Sequence, residues 1–478
     1  SIVVTMRSGK FLTFPTPLSY NLSTARPKGR RLIGYTEKRD FAVAELMPNG
    51  KWSVQVLWSW KKGTPWYLII GDLDGIGQDE DVIAALGHNN ERILWFRRQY
   101  DGRWVKGGEI VLPTSKGQRY YIRWIKPHCV LVYAEGPLTG AGSYTLSPLP
   151  LLFLDGRWEI GKLGEEADSF ELDLDGDGQK EKVLVRFLNE KVRWHIRFTG
   201  SKRKLDGEWN FKGWSVKDVK ATEKFGDSKP HLLIAMLNEK TLTARIIDCT
   251  FESPKGWKLR ELSQWEIKKV PTQQQVEMHL LLGDVDGDGR DEIVAEKFLL
   301  LRAKHGWIVK PLEIVKGQTS GTIVSHYPKV LENGRLWFVR EFYSWSKTPQ
   351  GYYREQIKPF AELGTFDSQG NWQPLGQFRS LSERGWAIED LNGDGYPELL
   401  AFKGLLLAKP VLYYLSSKGR WKKVSLVGNS LARQLEVCLR GAILGVDPQL
   451  LSPIRWDGKL WFVIVWTDGF VQAVTLKR

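Results

Sequence analysis

Three features of this 478-residue sequence predict an all-β fold of the β-propeller class. A strand-and-turn unit recurs roughly every fifty residues, a tryptophan closes each turn, and every second unit carries an acidic loop. The turns read NGKW at Trp52, DGRW at Trp104, DGRW at Trp158 and DGEW at Trp209. They continue as KGW at Trp257, HGW at Trp307, QGNW at Trp372 and KGRW at Trp421. Asn-Gly and Asp-Gly between apolar runs are hairpin signals, because both residues tolerate positive φ. Their flanks, such as ERILWFRRQY, KVRWHIRFTG and WSVQVLW, are rich in β-branched and aromatic residues. Helical periodicity is scarce.

Units of ~40 to 50 residues with about four strands match propeller blades. Ring closure then covers the faces and edges that a single sheet leaves open. The 22 tryptophans are expected to pack between blades. SPIRWDGKLWFVIVWTDGF from Ser452 resembles YPKVLENGRLWFVREFYSW from Tyr327, which opens a unit. DFAVAELMPNGKW from Asp40 resembles PFAELGTFDSQGNW from Pro359, which finishes the same kind of unit. N- and C-terminal strands are therefore expected to share one blade of a single domain spanning residues 1–478. The expected count is eight blades, four with an acidic loop alternating with four without. Seven and nine stay open, because residues 1–36 fit no unit.

The acidic loops read GDLDGIGQDEDVIAAL from Gly71, ELDLDGDGQKEKVLVRF from Glu171, GDVDGDGRDEIVAEKF from Gly283 and EDLNGDGYPELLAFKG from Glu389. Their first aspartates are spaced 101, 111 and 106 residues apart. The pattern D-x-[DN]-x-D-G-x-x-E suits calcium, which takes six to eight oxygen ligands. Ligands expected in the second loop are Asp173, Asp175, Asp177, Glu181 and the Gln179 carbonyl. The third offers Asp284, Asp286, Asp288, Glu292 and the Arg290 carbonyl; the fourth offers Asp390, Asn392, Asp394, Glu398 and the Tyr396 carbonyl. The first offers Asp72, Asp74, Glu80 and the Gln78 carbonyl, but Ile76 takes the third side-chain position. Up to four calcium ions are expected, the first bound weakest. An EF-hand is rejected: its twelfth position needs Glu, and here stand Ile83, Leu184, Ala295 and Ala401.

On these loops, each followed by an apolar strand, the chain resembles FG-GAP/VCBS-type propellers such as integrin α-subunit heads. The resemblance implies an exported protein, calcium as a structural ion, and a role in adhesion or ligand binding. Some members are polysaccharide lyases.

Charge adds to this picture. There are 69 Lys and Arg against 55 Asp and Glu, a net +14. If fourteen of those carboxylates hold metal, the rest of the chain is strongly basic. RPKGRR (26–31), SKRK (201–204) and KGRWKK (418–423) cluster that charge. Anionic partners are favoured: an acidic protein face, acidic polysaccharide or an anionic membrane surface. No nucleic-acid-binding motif is present, which disfavours that class. SWKKGTPWY from Ser59 and SWSKTPQGYY from Ser344 set Trp60, Trp66, Tyr67, Trp345, Tyr352 and Tyr353 beside lysines. These six are candidate ligand contacts; a loop anchored by its own aromatics is the equal alternative.

No HExxH, GxSxG or phosphate loop occurs, and the seven histidines are scattered. Cys129, Cys249 and Cys438 sit in apolar runs, as buried thiols do. No run approaches the ~18 apolar residues of a membrane helix. No export leader is visible, although the Ser1 start fits a trimmed N-terminus. The function expected is a calcium-stabilised, non-enzymatic binding or scaffold propeller, possibly one subunit of a larger assembly. The alternative is a lectin or lyase acting on acidic polysaccharide.

Overall fold

The computed structural model describes residues 2–5, 11–14, 31–36, 40–46, 52–59, 67–71, 73, 81–86, 90–113, 119–126, 128–137, 144–154, 157–201, 203–227, 229–252, 256–267, 278–303, 306–316, 320–348, 351–356, 360–378, 386–403, 409–416, 419–425, 448–456, 459–466 and 471–474. Among these there is no helix. Asp-Gly turns work as their composition demands. Gly102 sits at φ 84°, its amide bonds the Gln99 carbonyl, and the Gln99 amide bonds the Arg103 carbonyl. The Asp101 carboxylate caps the Arg103 amide at 3.0 Å. The turns at Gly370 and Gly419 repeat this closure.

Hairpins of this kind build nine sheets in chain order, numbered 1 to 9 here. Sheet 1 is Arg31–Tyr35, Phe41–Leu46 and Trp52–Trp58. Sheets 2 to 6 and sheet 8 are four-stranded antiparallel meanders over residues 67–111, 119–160, 166–210, 215–266, 280–311 and 386–425. Sheet 7, residues 313–378, has six strands. Sheet 9 takes Pro448–Trp456, Lys459–Trp466 and Val471–Val474 from one end of the chain. Ile2–Thr5 adds to it in parallel, Ile2 opposite Val471, and Phe11–Phe14 follows.

This is a β-propeller plan, in which each strand turns alternate side chains toward the preceding and following sheets. Leu172, Val183, Val185 and Val192 of sheet 4 meet Val219, Leu232 and Ile234 of sheet 5. Similar apolar layers join sheet 1 to 2, 2 to 3, 5 to 6, 6 to 7 and 7 to 8. Turn tryptophans enter these layers: Trp104, Trp158, Trp209, Trp257, Trp307, Trp372 and Trp421 all pack there. Mid-strand glycine makes room for the rings. A Cβ on Gly207 would lie 2.2 Å from the Trp194 ring, and one on Gly376 2.5 Å from Trp421.

Two expectations change. Sheet 9 is indeed shared by both ends, but residues 2–14 complete it rather than residues 40–52. Residues 31–58 instead form a sheet of their own, so the described residues make nine sheets, a number left open beside eight. The physical reason is that strand partners are chosen by long-range pairing, which similarity between segments does not encode. Along the chain the acidic loops belong to sheets 2, 4, 6 and 8, which leaves five sheets without a loop rather than the four expected.

Candidate metal centres and titratable clusters

Each acidic loop links the first and second strands of its sheet. Ladder register fixes its mouth: Leu172 faces Glu181, Gly283 faces Glu292, and Glu389 faces Glu398. The apolar residue after the first aspartate is a buried peg: Leu174, Val285 or Leu391. Its amide donates to the closing glutamate, Leu174 to Glu181 at 2.7 Å, Val285 to Glu292 at 2.9 Å and Leu391 to Glu398 at 2.8 Å. The first aspartate gathers glycine amides, Asp173 accepting from Gly176 at 2.8 Å and Gly178 at 3.0 Å. Asp284 takes Gly287 and Gly289, and Asp390 takes Gly393 and Gly395, in the same way. These turns need φ of 77° at Gly176 and 84° at Gly178, values that a Cβ resists. Asp177, Asp288 and Asp394 accept the amides of Gln179, Arg290 and Tyr396. Asn392 donates to Glu398 at 2.8 Å.

Asp173, Asp175 and Glu181 bring carboxylate oxygens within 4.8 Å of one another, as do Asp284, Asp286 and Glu292. Burial, with the neighbouring aspartates adding, pushes Glu292 up to about 8. Glu398 is likewise raised to about 8, and Glu181 and Asp286 are raised for the same reasons. Carboxylates of one sign converging around a buried glutamate fit a hard cation.

In the first loop, Asp72, Asp74, Gln78 and Glu80 lie outside the described residues. The ladder nonetheless identifies its closing carboxylate, for Gly71 faces Asp81. Asp81 accepts the Leu73 amide and the Trp95 indole N–H, each at 2.6 Å. Counting from the first aspartate points to Glu80. Counting back from the strand would have found Asp81, since Asp81-Val-Ile-Ala parallels Glu292-Ile-Val-Ala and Glu398-Leu-Leu-Ala. This loop is one residue longer and ends on a shorter acid, one of whose oxygens faces the indole.

Turns of the loop-free sheets hold the loops from the side. The Asn333-Gly334-Arg335 turn of sheet 7 bonds Asp284 through the Gly334 carbonyl. Its Asn333 amide group donates to Asp390 Oδ2 at 3.2 Å, and Glu332 N–H donates to Glu389. One turn thus touches two acidic loops.

Of the six aromatic candidates, Trp60 and Trp66 lie outside the described residues. Tyr67 begins the first strand of sheet 2. Tyr352 and Tyr353 sit in Gly351–Gln356, facing Lys347 and Ser346 across a hairpin. Trp345 is corrected: it is 2% exposed, packs on Ile323 and Tyr343, and donates to the Lys316 carbonyl at 3.2 Å. Its ring anchors the hairpin and has no open face for a ligand.

A cluster without any sequence signature joins the first strands of sheets 4 and 5 to sheet 6. Lys220 Nζ lies 3.1 Å from Asp168 and 3.2 Å from Asp218, and Asp218 also accepts the Leu280 amide. Burial opposes the Lys220 charge, but the two aspartates outweigh it and raise its pKa. Burial also raises Glu166 beside them, with Asp218 adding. Cys129 and Cys249 are buried free thiols, and burial pushes Cys249 well above its usual value.

No protein-family model and no curated protein matches this chain. Among solved structures, the periplasmic gluconolactonase of Pseudomonas aeruginosa is 11% identical, covering 73% of this chain and 96% of its own, with a TM-score of 0.26. The six-bladed, fucose-recognising Aleuria aurantia lectin is 12% identical, covering 71% and 96%, with a TM-score of 0.23. Likeness at this level carries no argument about activity. No helix among the described residues is long and apolar enough to cross a membrane.

Proposed function

We propose that this chain is a calcium-stiffened propeller that binds an anionic partner without catalysing a reaction, in an exported setting. The observation that carries the calcium part is the common geometry of three loops, each with a buried glutamate facing several aspartates. Asp173, Asp175, Asp177 and Glu181 would hold one ion, Asp284, Asp286, Asp288 and Glu292 a second, and Asp390, Asn392, Asp394 and Glu398 a third. Bound calcium supplies charge compensation only. The loops and the turns beside them then hold neighbouring sheets in fixed relation. The first loop is the weakest site, with Ile76 at a ligand position and Asp81 shared with Trp95.

Binding is supported by the basic excess, 69 cations against 55 anions over the whole chain, which grows once loop carboxylates are neutralised. The test is recovery of partners on the immobilised chain, with calcium or chelator, across a salt series. Recovery that needs calcium and fades with salt is expected; none at any salt refutes the reading. A second reading, a carbohydrate-binding protein, is favoured by a polar cleft between sheets 3 and 4.

A further inference from the structure

Among the described residues, the apolar layer between sheets 3 and 4 is smaller than those joining the other consecutive sheets from 1 to 8. There it consists of Cys129, Leu152, Ala167 and Leu184. Outward from these four the sheets part into a cleft of about 890 Å³, a volume suited to a ligand of several rings. The sheet 4 wall is charged where its opposite face is core.

Register makes that wall costly. Lys182 faces Arg197, which faces Lys204; beyond the Leu184–His195 row, Arg186 faces Arg193. Like charges directly across a ladder destabilise a sheet, and a local rule broken in this way points to a functional site. Lys182 and Arg186 carry no hydrogen bond or ion pair among the described residues. Acceptors share the wall: Glu208 pairs with Arg193 at 2.8 Å, and Asp206 with His195. Glu159 reaches the cleft from sheet 3.

We propose that this cleft binds an acidic oligosaccharide, its anionic groups on the Lys182–Arg197–Lys204 row and Arg186, its hydroxyls on the carboxylates. A polyphosphate or nucleic acid would meet those carboxylates as repulsion, whereas a hydroxyl-rich anion uses donors and acceptors together. The inference rests on the anionic-partner reading and gives that partner a chemical class and a place.

The test is calorimetric titration of the calcium-loaded chain with tetragalacturonate, its methyl ester, a tetra-aspartate peptide and a short single-stranded DNA. Tetragalacturonate alone should bind well. K182E/R186E should weaken it at least tenfold while melting no lower than the parent, because it removes two like-charge pairs, Lys182–Arg197 and Arg186–Arg193. Unchanged affinity in that variant, or equal binding of the ester, peptide or DNA, overturns the cleft assignment. Tetragalacturonate that does not bind also overturns it. The broader reading fails separately, when no anionic partner is recovered at any salt.

Discussion

Chelating calcium and then raising the pH should weaken the fold, and saturating calcium should abolish that dependence. Glu292 is 2% exposed and Glu398 1%, and each is held near 8 against an ordinary 4.5. A carboxyl whose folded value is raised contributes stability below its unfolded value and loses it as pH climbs through the folded value. The calcium-free chain should therefore lose stability between about pH 5 and 8. At ~1.4 kcal/mol per pKa unit, the penalty is on the order of a few kcal/mol per loop. Calcium replaces the proton as counter-charge, and at a hundredfold excess over its Kd adds ~2.7 kcal/mol per site. Urea midpoints at pH 5, 6, 7 and 8, in chelator and in calcium, measure both effects. A calcium-free midpoint that is flat or rises with pH refutes this account, as does a slope that survives saturating calcium.

Lys220→Met leaves Asp168 and Asp218 buried without their cation. It should cost about 3 kcal/mol, the low end for a broken buried pair because the amine is partly exposed; adding Asp168→Asn should recover part of the lost urea midpoint. Trp345→Ala should cost about 3 to 5 kcal/mol of stability while leaving partner affinity per folded molecule unchanged in a titration. Asp81→Asn should lower the melting temperature and Glu80→Gln should not, which scanning calorimetry of the two variants decides. Equal effects would refute the register assignment in the first loop.

Turns and acidic loops were legible because local chemistry determines them: Gly102 and Gly176 need positive φ, and alternating aspartates wind one way. Pairing was less legible. Residues 40–52 and 359–372 are alike and both form strands, yet residues 459–466 pair with 471–474, and it is residues 2–5 that then join 471–474 in parallel. Asp81 accepts the Leu73 amide one residue beyond the Glu80 that the spacing indicates, an offset that only the ladder register reveals. Trp345 looked like a contact because Lys and Tyr surround it in sequence, while its burial depends on Ile323 across the sheet. The Lys220 cluster and the charged cleft left no motif, since their members come from strands some ten to sixty residues apart and meet only through register.

The parallel pairing of Ile2–Thr5 with Val471–Val474 also governs when folding can finish. A ribosome makes the first of these strands long before the second, so Ile2–Thr5 can pair with Phe11–Phe14 at once but must wait for its parallel partner. Joining ends this distant costs about 5 kcal/mol in chain entropy, a late and slow step for a topology dominated by distant pairings. The same clasp works in reverse once made. Ile2–Thr5 and Val471–Val474 cannot separate without breaking the ladder between them, which slows the opening of sheet 9.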